Sequence, residues 1–239
     1  VGSGQSLIRL LQFSGLLFKP DDGKTNLSWW SDLIQQYFTP KAVMRFTLWK
    51  DNQRNEAKPF EIGVPILPRF FLVTTQSGVK SMTLSLDGAR ERMYAPNHAV
   101  VECVEANWTY RYANGYTIAL RGPLTAHVKV SPGPPGSSTP NAQPNLQFEE
   151  LQFEAKQYDK WISIDSIHGK RTSPVARNML TPTSNGIINT QDEDKKWEEP
   201  RISVEDCQLP GEPVNAFGIP QATMRCLEVW EVLIQHCGS

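Results

Sequence analysis

The stretch WTYRYANGYTIALRGPLTAHV, from Trp108 to Val128, decides the fold of this chain. Asn114-Gly115 in its middle suits a two-residue turn, because both residues tolerate the positive φ that such a turn requires. Apolar side chains occupy every second position around this turn, namely Trp108, Tyr110, Tyr112, Tyr116, Ile118, Leu120, Leu124, Ala126 and Val128. The period of two predicts a long antiparallel hairpin with one apolar face.

Two helices are predicted before the hairpin. Residues 6–18 carry a stripe of apolar side chains at helical spacing, formed by Leu7, Leu10, Leu11, Leu17 and Phe18. Ser28 is a suitable N-cap for a second helix, which ends at Thr39-Pro40 because the residue before a proline avoids helical angles. The apolar residues of the second helix are Trp29, Trp30, Leu33, Ile34, Tyr37 and Phe38. Both helices need a surface that covers their apolar side.

Further strands are expected on both sides of the hairpin. The stretches with alternating or β-branched and aromatic residues are 43–49, 60–64, 80–86, 146–155 and 160–167. Arg69–Gln76 fits a short helix or a buried strand, and its sequence does not distinguish the two. Helices followed by a series of strands predict an α+β fold.

Two polar stretches interrupt this pattern. Residues 131–145 are rich in Pro, Gly and Ser and are predicted to form a flexible insert within a hairpin. Residues 168–213 are polar, contain a charged run, and are predicted to form an extended linker. A helix opened by Pro220 follows, with an apolar face of Met224, Leu227, Trp230, Leu233 and Ile234. Such a helix packs back onto its own domain or docks onto another chain.

The composition argues against several classes of function. The chain has 239 residues, and its 24 basic and 25 acidic side chains give a net charge of −1, which attracts neither nucleic acid nor an anionic membrane. No apolar run approaches the roughly 20 residues of a membrane span. The four cysteines, Cys103, Cys207, Cys226 and Cys237, lack Cys-x-x-Cys spacing, which favours reduced thiols. We expect a soluble, intracellular protein that binds neither nucleic acid nor membrane directly.

The sequence contains no recognisable catalytic or cofactor motif. Glycine-rich phosphate loops are absent, and the histidines at 98, 127, 168 and 236 stand apart, without the spacing of metal ligands on one helix. His127 lies on the polar side of its strand and is expected to be solvated. We therefore expect no catalytic residue, no metal site and no cofactor.

Six motifs occur in the order that is typical of the LIM-domain-binding family of transcriptional adaptors, which the chain resembles. Five cover the first two thirds of the chain, namely SLIRLLQ at 6–12, LSWWSDLIQQYF at 27–38, LPRFF at 67–71, SGVK at 77–80 and the hairpin at 108–128. The sixth, VNAFGIPQATMRCLE at 214–228, resembles the family's segment after its dimerisation domain. The insert and the charged linker resemble the fungal branch, in which regulators of cell adhesion and biofilm formation occur.

This resemblance implies a fold similar to nuclear transport factor two, in which a curved antiparallel sheet packs on N-terminal helices and is followed by a linker and a C-terminal helix. It implies a nuclear, non-enzymatic scaffold that forms a homodimer. It also implies a LisH-domain transcription factor as partner, of the SomA, LEUNIG or single-stranded-DNA-binding-protein type. The LIM-interaction peptide of the family is not evident, so LIM binding is not expected.

The predicted organisation is a dimerisation domain at 6–167, a linker at 168–213 and a partner-binding helical segment at 214–237. The residues expected to contribute to the core or to the dimer contact are Trp108, Tyr110, Tyr112, Ile118, Leu120 and Leu124, and the sequence does not separate the two roles. Those expected to bind the partner are Val214, Asn215, Phe217, Gly218, Met224, Leu227, Trp230 and Leu233. An alternative stays open, because this kind of fold also includes dehydratases and isomerases with a polar pocket inside the sheet. The candidates for such a pocket are His98, His127, Asp159 and Asp165.

Overall fold

A computed structural model describes residues 4–52, 55–131, 145–172 and 202–237, and it describes side chains in these ranges except for those of residue 52 and of residues 232–237. Its helices are α1 (Gln5–Phe18), α2 (Leu27–Tyr37), α3 (Leu67–Gln76) and α4 (Gln221–Cys237). Its strands are β1 (Phe38–Trp49), β2 (Ala57–Gly63), β3 (Val79–Ser85), β4 (Arg90–Ala95), β5 (His98–Tyr112), β6 (Tyr116–Ser131), β7 (Asn145–Ala155), β8 (Gln157–Ile162), β9 (His168–Thr172) and β10 (Ser203–Gln208). The α+β class, the curved sheet, the N-terminal helices and the C-terminal helix are confirmed.

Eight of the described strands form one sheet. Its order is β2-β1-β7-β6-β5-β3, with β4 paired to β5 and β8 paired to β6. The hairpin β5–β6 is at its centre, but the strands are joined by the three residues 113–115 and not by the predicted two-residue Asn114-Gly115 turn. The Gly115 N–H donates a 3.2 Å hydrogen bond to the carbonyl of Tyr112, and Gly115 has φ of +89° whereas Asn114 does not have positive φ, which fits a three-residue loop with a left-handed glycine at its end. The sheet is not wholly antiparallel, because β1 runs parallel to β7. Parallel neighbours need a long connection, and here all the chain from β2 to β6 provides it.

The stretch at 69–76 is helical in the structure. α3 begins at Leu67 with a proline in its first turn, a position where the missing amide hydrogen costs nothing. Its buried residues include Phe70 and Phe71, which an amphipathic helix places on one side. The ambiguity between helix and strand is therefore resolved in favour of the helix.

The first helix exposes part of the stripe that its sequence predicted to be covered. Leu10, Phe13 and Leu17 are buried, whereas Leu11 is 48% and Phe18 is 50% exposed. The domain core therefore covers only part of the stripe, because apolar side chains occur around most of the helix, and periodicity alone does not select the side that the core covers. The N-terminal helix therefore keeps an apolar face outside the core.

The core lies between the concave side of the sheet and the helices. Its largest fully buried side chains are aromatic and include Trp30, Trp108, Phe13, Phe46, Phe70, Phe71, Phe148 and Phe153. Trp30 stacks on Phe71 with 5.1 Å between the ring centroids, and the Trp30 indole N–H donates a 2.8 Å hydrogen bond to the carbonyl of Lys24. Aromatic pairs of this kind add roughly 1 kcal/mol each beyond the area that they bury.

The chain divides into two compact units. One contains the described residues up to Ser163 together with those from Glu212 onward, and the other spans Ile164–Gly211. The first unit therefore joins the predicted domain and the predicted C-terminal segment. In the second unit β9 and β10 pair as an antiparallel ladder, which differs from the extended linker predicted at 168–213. Backbone pairing explains the difference, since it satisfies polar groups without any apolar pattern in the sequence.

Two predicted polar stretches lie partly outside the described residues. Residues 132–144 of the insert and 173–201 of the linker lie outside the described residues. The two ends of the insert are described, and Ser131 is the register partner of Asn145 across β6 and β7. The prediction that this insert belongs to a hairpin agrees with that pairing.

Candidate functional site

The segment that precedes α4 forms a tight turn against the sheet. The Asn215 side-chain oxygen accepts a 2.9 Å hydrogen bond from the backbone N–H of Phe217, and the Asn215 N–H donates to the carbonyl of Ile219. Gly218 has φ of +78°, and a Cβ at this position would lie 2.9 Å from Leu120 and Tyr158 side-chain atoms. The turn therefore requires glycine for both its backbone angle and its close packing on β6 and β8.

Further contacts fix this segment along the sheet. The N–H of Asp51 donates a 2.7 Å hydrogen bond to the carbonyl of Ala216, and the Lys58 ammonium lies 5.3 Å from the centroid of the Phe217 ring. Lys160 pairs with Glu212 at 2.6 Å. These contacts come from several elements, so the segment is part of the domain's structure.

Helix α4 packs on α3 and β2 through its apolar face. Met224 and Leu227 are 2% and 3% exposed, and Trp230 is partly buried against the same core. The hydroxyls of Thr74 and Thr223 are 3.1 Å apart in the buried contact between α3 and α4. On the outer side, Lys58 pairs with Glu228 at 2.6 Å. The helix is thus docked onto its own domain.

This docking changes the role of the residues predicted to bind a partner. Phe217, Gly218, Met224 and Leu227 are buried within the domain, and Val214, Asn215 and Trp230 are partly buried. The side chain of Leu233 lies outside the described residues. The four buried residues hold the helix in place and do not present a surface, because the apolar face that the sequence revealed is covered by the chain itself.

The residues predicted to form the dimer contact are also internal. All six, Trp108, Tyr110, Tyr112, Ile118, Leu120 and Leu124, are at most 5% exposed. They lie on the concave side of the sheet, where the helices cover them, so a second copy does not reach them. Of the two roles predicted for these residues, core or dimer contact, their burial supports the core, since alternation shows which side is apolar and not what covers it. Burial also raises the pKa of Tyr110 well above its usual value.

An apolar stripe on the outside of α1 was missed. Ile8, Leu11 and Phe18 are 54%, 48% and 50% exposed, and Gly15 lies between them with open space around it. Their spacing of three, four and three residues is the a/d spacing of a coiled-coil seam. We call Ile8, Leu11, Gly15 and Phe18 the α1 seam. The heptad spacing was visible in the sequence, but Leu11 and Phe18 had been assigned to the covered side.

A groove runs between α4 and β2, the edge strand of the sheet. It is a cavity of about 360 Å³ lined by Pro59, Phe60, Glu61, Ile62, Ile66, Leu227, Trp230 and Glu231. Its walls are mainly apolar, and two carboxylates lie at its rim. Glu61 is paired with Arg45 at 2.9 Å. We call this cavity the α4 groove.

The residues considered for an enzyme pocket lie away from the interior. Asp159 pairs with Arg121 at 2.7 Å, and Asp165 is exposed and pairs with Arg171. His98 and His127 meet on the outer side of the sheet, where burial, and secondarily the charge of His127, lower the pKa of His98. The interior contains Leu10, Trp30 and Ile34, each at most 1% exposed. The three candidates of the first unit, His98, His127 and Asp159, therefore do not share a pocket inside the sheet, and Asp165 belongs to the second unit.

Comparison with known proteins places this architecture in a family. The family model described as LIM-domain binding protein matches residues 8–235. The chain belongs to the LIM-domain-binding protein family. Adhesion defective protein 1 of Schizosaccharomyces pombe is 25% identical over 235 residues, covering 96% of this chain and 56% of that protein. Transcriptional activator ptaB of Aspergillus fumigatus is 24% identical over 232 residues, covering 96% of this chain and 28% of that protein. The chain thus spans only part of the length of both relatives.

Comparison with solved structures gives partial matches of low TM-score. A nuclear transport factor 2 (NTF2-like) superfamily protein from Salmonella enterica has a TM-score of 0.38 and 16% identity, and the match covers 63% of this chain and 86% of that one. Among the described residues, no helix is long and apolar enough to span a bilayer. The cysteines whose side chains are described, Cys103, Cys207 and Cys226, are free thiols.

Proposed function

We propose that this chain is a non-enzymatic transcriptional co-regulator scaffold, which acts in the nucleus, forms a homodimer through the α1 seam and binds a LisH-domain regulatory partner at the α4 groove. Membership of the LIM-domain-binding family supports the role of an adaptor. The names of the two relatives, a transcriptional activator and an adhesion defective protein, support the regulation of genes for cell adhesion. The observation that carries the proposal is the exposed apolar seam on α1.

The filled interior supports a function in binding over a function in catalysis. A catalytic pocket of this kind of sheet needs polar groups that converge on an internal cavity. Here Trp30, Phe71 and Trp108 pack against one another, with centroid separations of 5.1 Å and 6.4 Å on either side of Phe71. Space for a substrate in this part of the core is taken by side chains.

The seam is unfavourable in an isolated copy. Three side chains that are each about half exposed form one contiguous stripe along a 14-residue helix, which is about 21 Å long at 1.5 Å per residue. Burial of such side chains contributes roughly 1 kcal/mol or more each when a partner covers them. Gly15 at the centre lets another helix approach closely, since no Cβ separates the two backbones.

A second copy fits this seam for an electrostatic reason. In a two-fold contact each residue near the axis meets itself, so a charged residue there would face its own charge. The seam and its flanking residues Gln5 and Gln12 are uncharged, and the exposed Lys19 that follows Phe18 lies beyond the end of the helix, away from Gly15. Arg9, the nearest cation on the helix, is turned inward, where its guanidinium donates to the carbonyls of Leu146 and Gln36. The face is therefore compatible with antiparallel pairing of two α1 helices.

The α4 groove suits an apolar helix with basic flanks. Trp230 and Phe60 supply aromatic walls of the kind that anchor protein contacts, and Glu231 gives the rim a negative charge. An edge strand and a helix form its two sides, so an amphipathic segment can insert apolar residues between them. The family resemblance implies a LisH-domain partner, and we propose that it inserts such a segment.

The two surfaces together account for regulation of transcription by a scaffold that catalyses no reaction. Two copies joined by α1 present two α4 grooves, and a partner that is itself oligomeric then reaches the second groove at a raised effective concentration. Such bivalent binding exceeds the affinity of either groove by orders of magnitude without any new contact. The function of the dimer is therefore to offer two binding sites for the partner in one assembly.

Sedimentation analysis of the purified chain at micromolar concentration tests the dimer. We expect twice the chain mass for the unmodified protein and the single-chain mass for Leu11→Glu, because the substitution places two carboxylates at the contact. Val104→Glu is the matched control, since Val104 is 89% exposed on β5 and lies outside the seam. Leu11→Glu that sediments as a dimer rejects the seam, and an unmodified chain that sediments as a monomer rejects self-association.

Binding of a recombinant LisH-domain partner, measured by calorimetry, tests the groove. We expect Glu231→Lys to weaken binding at least tenfold, because it reverses the charge at the rim without touching the core. Val229→Asp, on an exposed side of α4, is the control and is expected to leave the affinity unchanged. Equal affinities of Glu231→Lys and the unmodified chain would remove the groove from the proposal.

A further inference from the structure

Two histidines meet on the outer face of the sheet. His98 begins β5 and His127 lies in β6, and their atoms Nε2 and Nδ1 are 3.0 Å apart. The ring centroids are 5.2 Å apart and the ring planes meet at 64°. The ring of Tyr94 lies beside both, with its centroid 4.9 Å from that of His98 and 5.6 Å from that of His127. The pair is half-buried and held by three strands.

A bulge in β5 is what brings these residues together. On the side of the bulge nearer the turn, Ala106 pairs with Gly122, and on the far side Cys103 pairs with Leu124. Three steps along β5 therefore match two steps along β6. The extra residue on β5 moves every side chain beyond it to the opposite face of the strand. His98 therefore points to the same side as His127, and without the bulge it would face the core side.

The spacing of the two nitrogens suits a shared metal ion. Imidazole nitrogens bind Zn²⁺ at about 2.0 Å, so two of them lie roughly 2.8 Å apart at a right angle and roughly 3.3 Å apart at a tetrahedral angle. The observed 3.0 Å lies between these values. Metal binding would need small rotations of the rings, so that both lone pairs point to one ion. The hydrogen bond between the two rings needs no such rotation.

We propose that His98 and His127 form a two-imidazole chelate for a divalent transition metal ion of the Zn²⁺, Ni²⁺ or Cu²⁺ class. Within the described part of the chain, no group of three or more His, Cys, Asp and Glu side chains is arranged to hold a metal. Water therefore completes the coordination, and the site is one of moderate affinity that responds to metal concentration. It is independent of the α1 seam and of the α4 groove.

The charged neighbours set the strength of this site. Lys129 and Glu149 form an ion pair beside His98, and Glu102 is paired with Arg92 on the adjoining strand. A cation at the chelate is repelled by the ammonium of Lys129 and attracted by the carboxylate of Glu149. Removing the Lys129 charge thus leaves the Glu149 carboxylate to act on the metal alone.

Titration of the full chain with NiCl₂, followed by calorimetry, tests the chelate, because Ni²⁺ binds imidazole without oxidising the free thiols. We expect one site per chain, lost or weakened at least about tenfold in both His98→Ala and His127→Ala. The double variant is expected to be no weaker than either single one, since a chelate needs both rings. His168→Ala, which removes a histidine of β9, is the matched control and is expected to bind as the unmodified chain does.

A second measurement separates the chelate from scattered surface binding. In proton NMR spectra the ring signals of His98 and His127 are expected to broaden together at substoichiometric Ni²⁺, while those of His168 stay sharp. Lys129→Gln is expected to tighten binding severalfold. The proposal is overturned if the double variant binds Ni²⁺ as tightly as the unmodified chain, or if the effects of the two single variants add as for independent sites.

Discussion

The first and last helices of this domain differ in what they leave exposed. Both bury one apolar face on the same core, α1 through Leu10 and Leu17 and α4 through Met224 and Leu227. The outer face of α1 is an uncharged apolar seam, whereas the exposed side chains described on α4 include Gln221, Arg225 and Glu231 beside the apolar Val229. An uncharged apolar face suits pairing with itself, and a charged rim beside a groove suits a different partner.

Neighbouring residues of α1 offer the sharpest test of this difference. Leu10→Ala is expected to lower the free energy of unfolding by about 3 kcal/mol, because Leu10 is fully buried and the change leaves a cavity. Leu11→Ala is expected to change the stability of the single chain by less than about 0.5 kcal/mol while weakening the dimer. Urea denaturation at low protein concentration measures the first effect, and sedimentation measures the second. Equal losses of stability would show that α1 is covered on both sides.

The same comparison applies to α4. Met224→Ala is expected to cost about 2 kcal/mol, because Met224 is 2% exposed in the contact with the core. Val229→Ala is expected to cost less than about 0.5 kcal/mol, since Val229 is 57% exposed. Thermal and urea denaturation of the two variants measure these differences. A helix that docks only on another chain would give small losses for both.

The turn before α4 is sensitive to a single added methyl group. Gly218→Ala is expected to cost about 1–2 kcal/mol, because it combines an unfavourable positive φ with a Cβ only 2.9 Å from Leu120 and Tyr158 atoms. Gly211→Ala is the control, since a Cβ there meets nothing within 4 Å. Denaturation curves of both variants, together with limited proteolysis near α4, measure the effect. Equal stabilities would mean that the turn does not anchor the helix.

The ion pair between β2 and α4 should contribute least. Lys58 and Glu228 are 2.6 Å apart, but their side chains are 36% and 42% exposed, so solvent screens their attraction. Glu228→Gln is expected to lower stability by at most about 0.5 kcal/mol, and less at high salt. Denaturation at two ionic strengths checks this. A loss of several kcal/mol would mean that charge, and not the apolar face, holds α4.

The sequence predicted local structure well because its signals are local. The place of the β5–β6 hairpin, the alternation on its strands, and the two N-terminal helices follow from patterns within a few residues. What covers a face depends on contacts far along the chain, such as those of Gly218 with Leu120, and alternation does not carry that information. For this reason the apolar residues of the hairpin were recognised without a decision between core and dimer contact, and those of α4 were assigned to a partner outside the chain.

The histidine pair shows a second limit of prediction from sequence. Its two members are separated by 29 positions, and counting back from the turn places them on opposite faces of the hairpin. One extra residue in β5, next to the exposed Val104, reverses that count. Bulges of this kind have weak sequence signals, so a site that depends on one is found only in three dimensions.

The register pair Ser131–Asn145 has a practical consequence for evolution and for engineering. Because β6 and β7 pair up to this point, the ends of whatever joins them are already held side by side. Doubling the length of such a connection costs only about 0.6 kcal/mol in closure entropy. Homologues are thus free to lengthen or shorten the sequence here, and a fluorescent reporter spliced between these strands should leave the sheet beneath it intact.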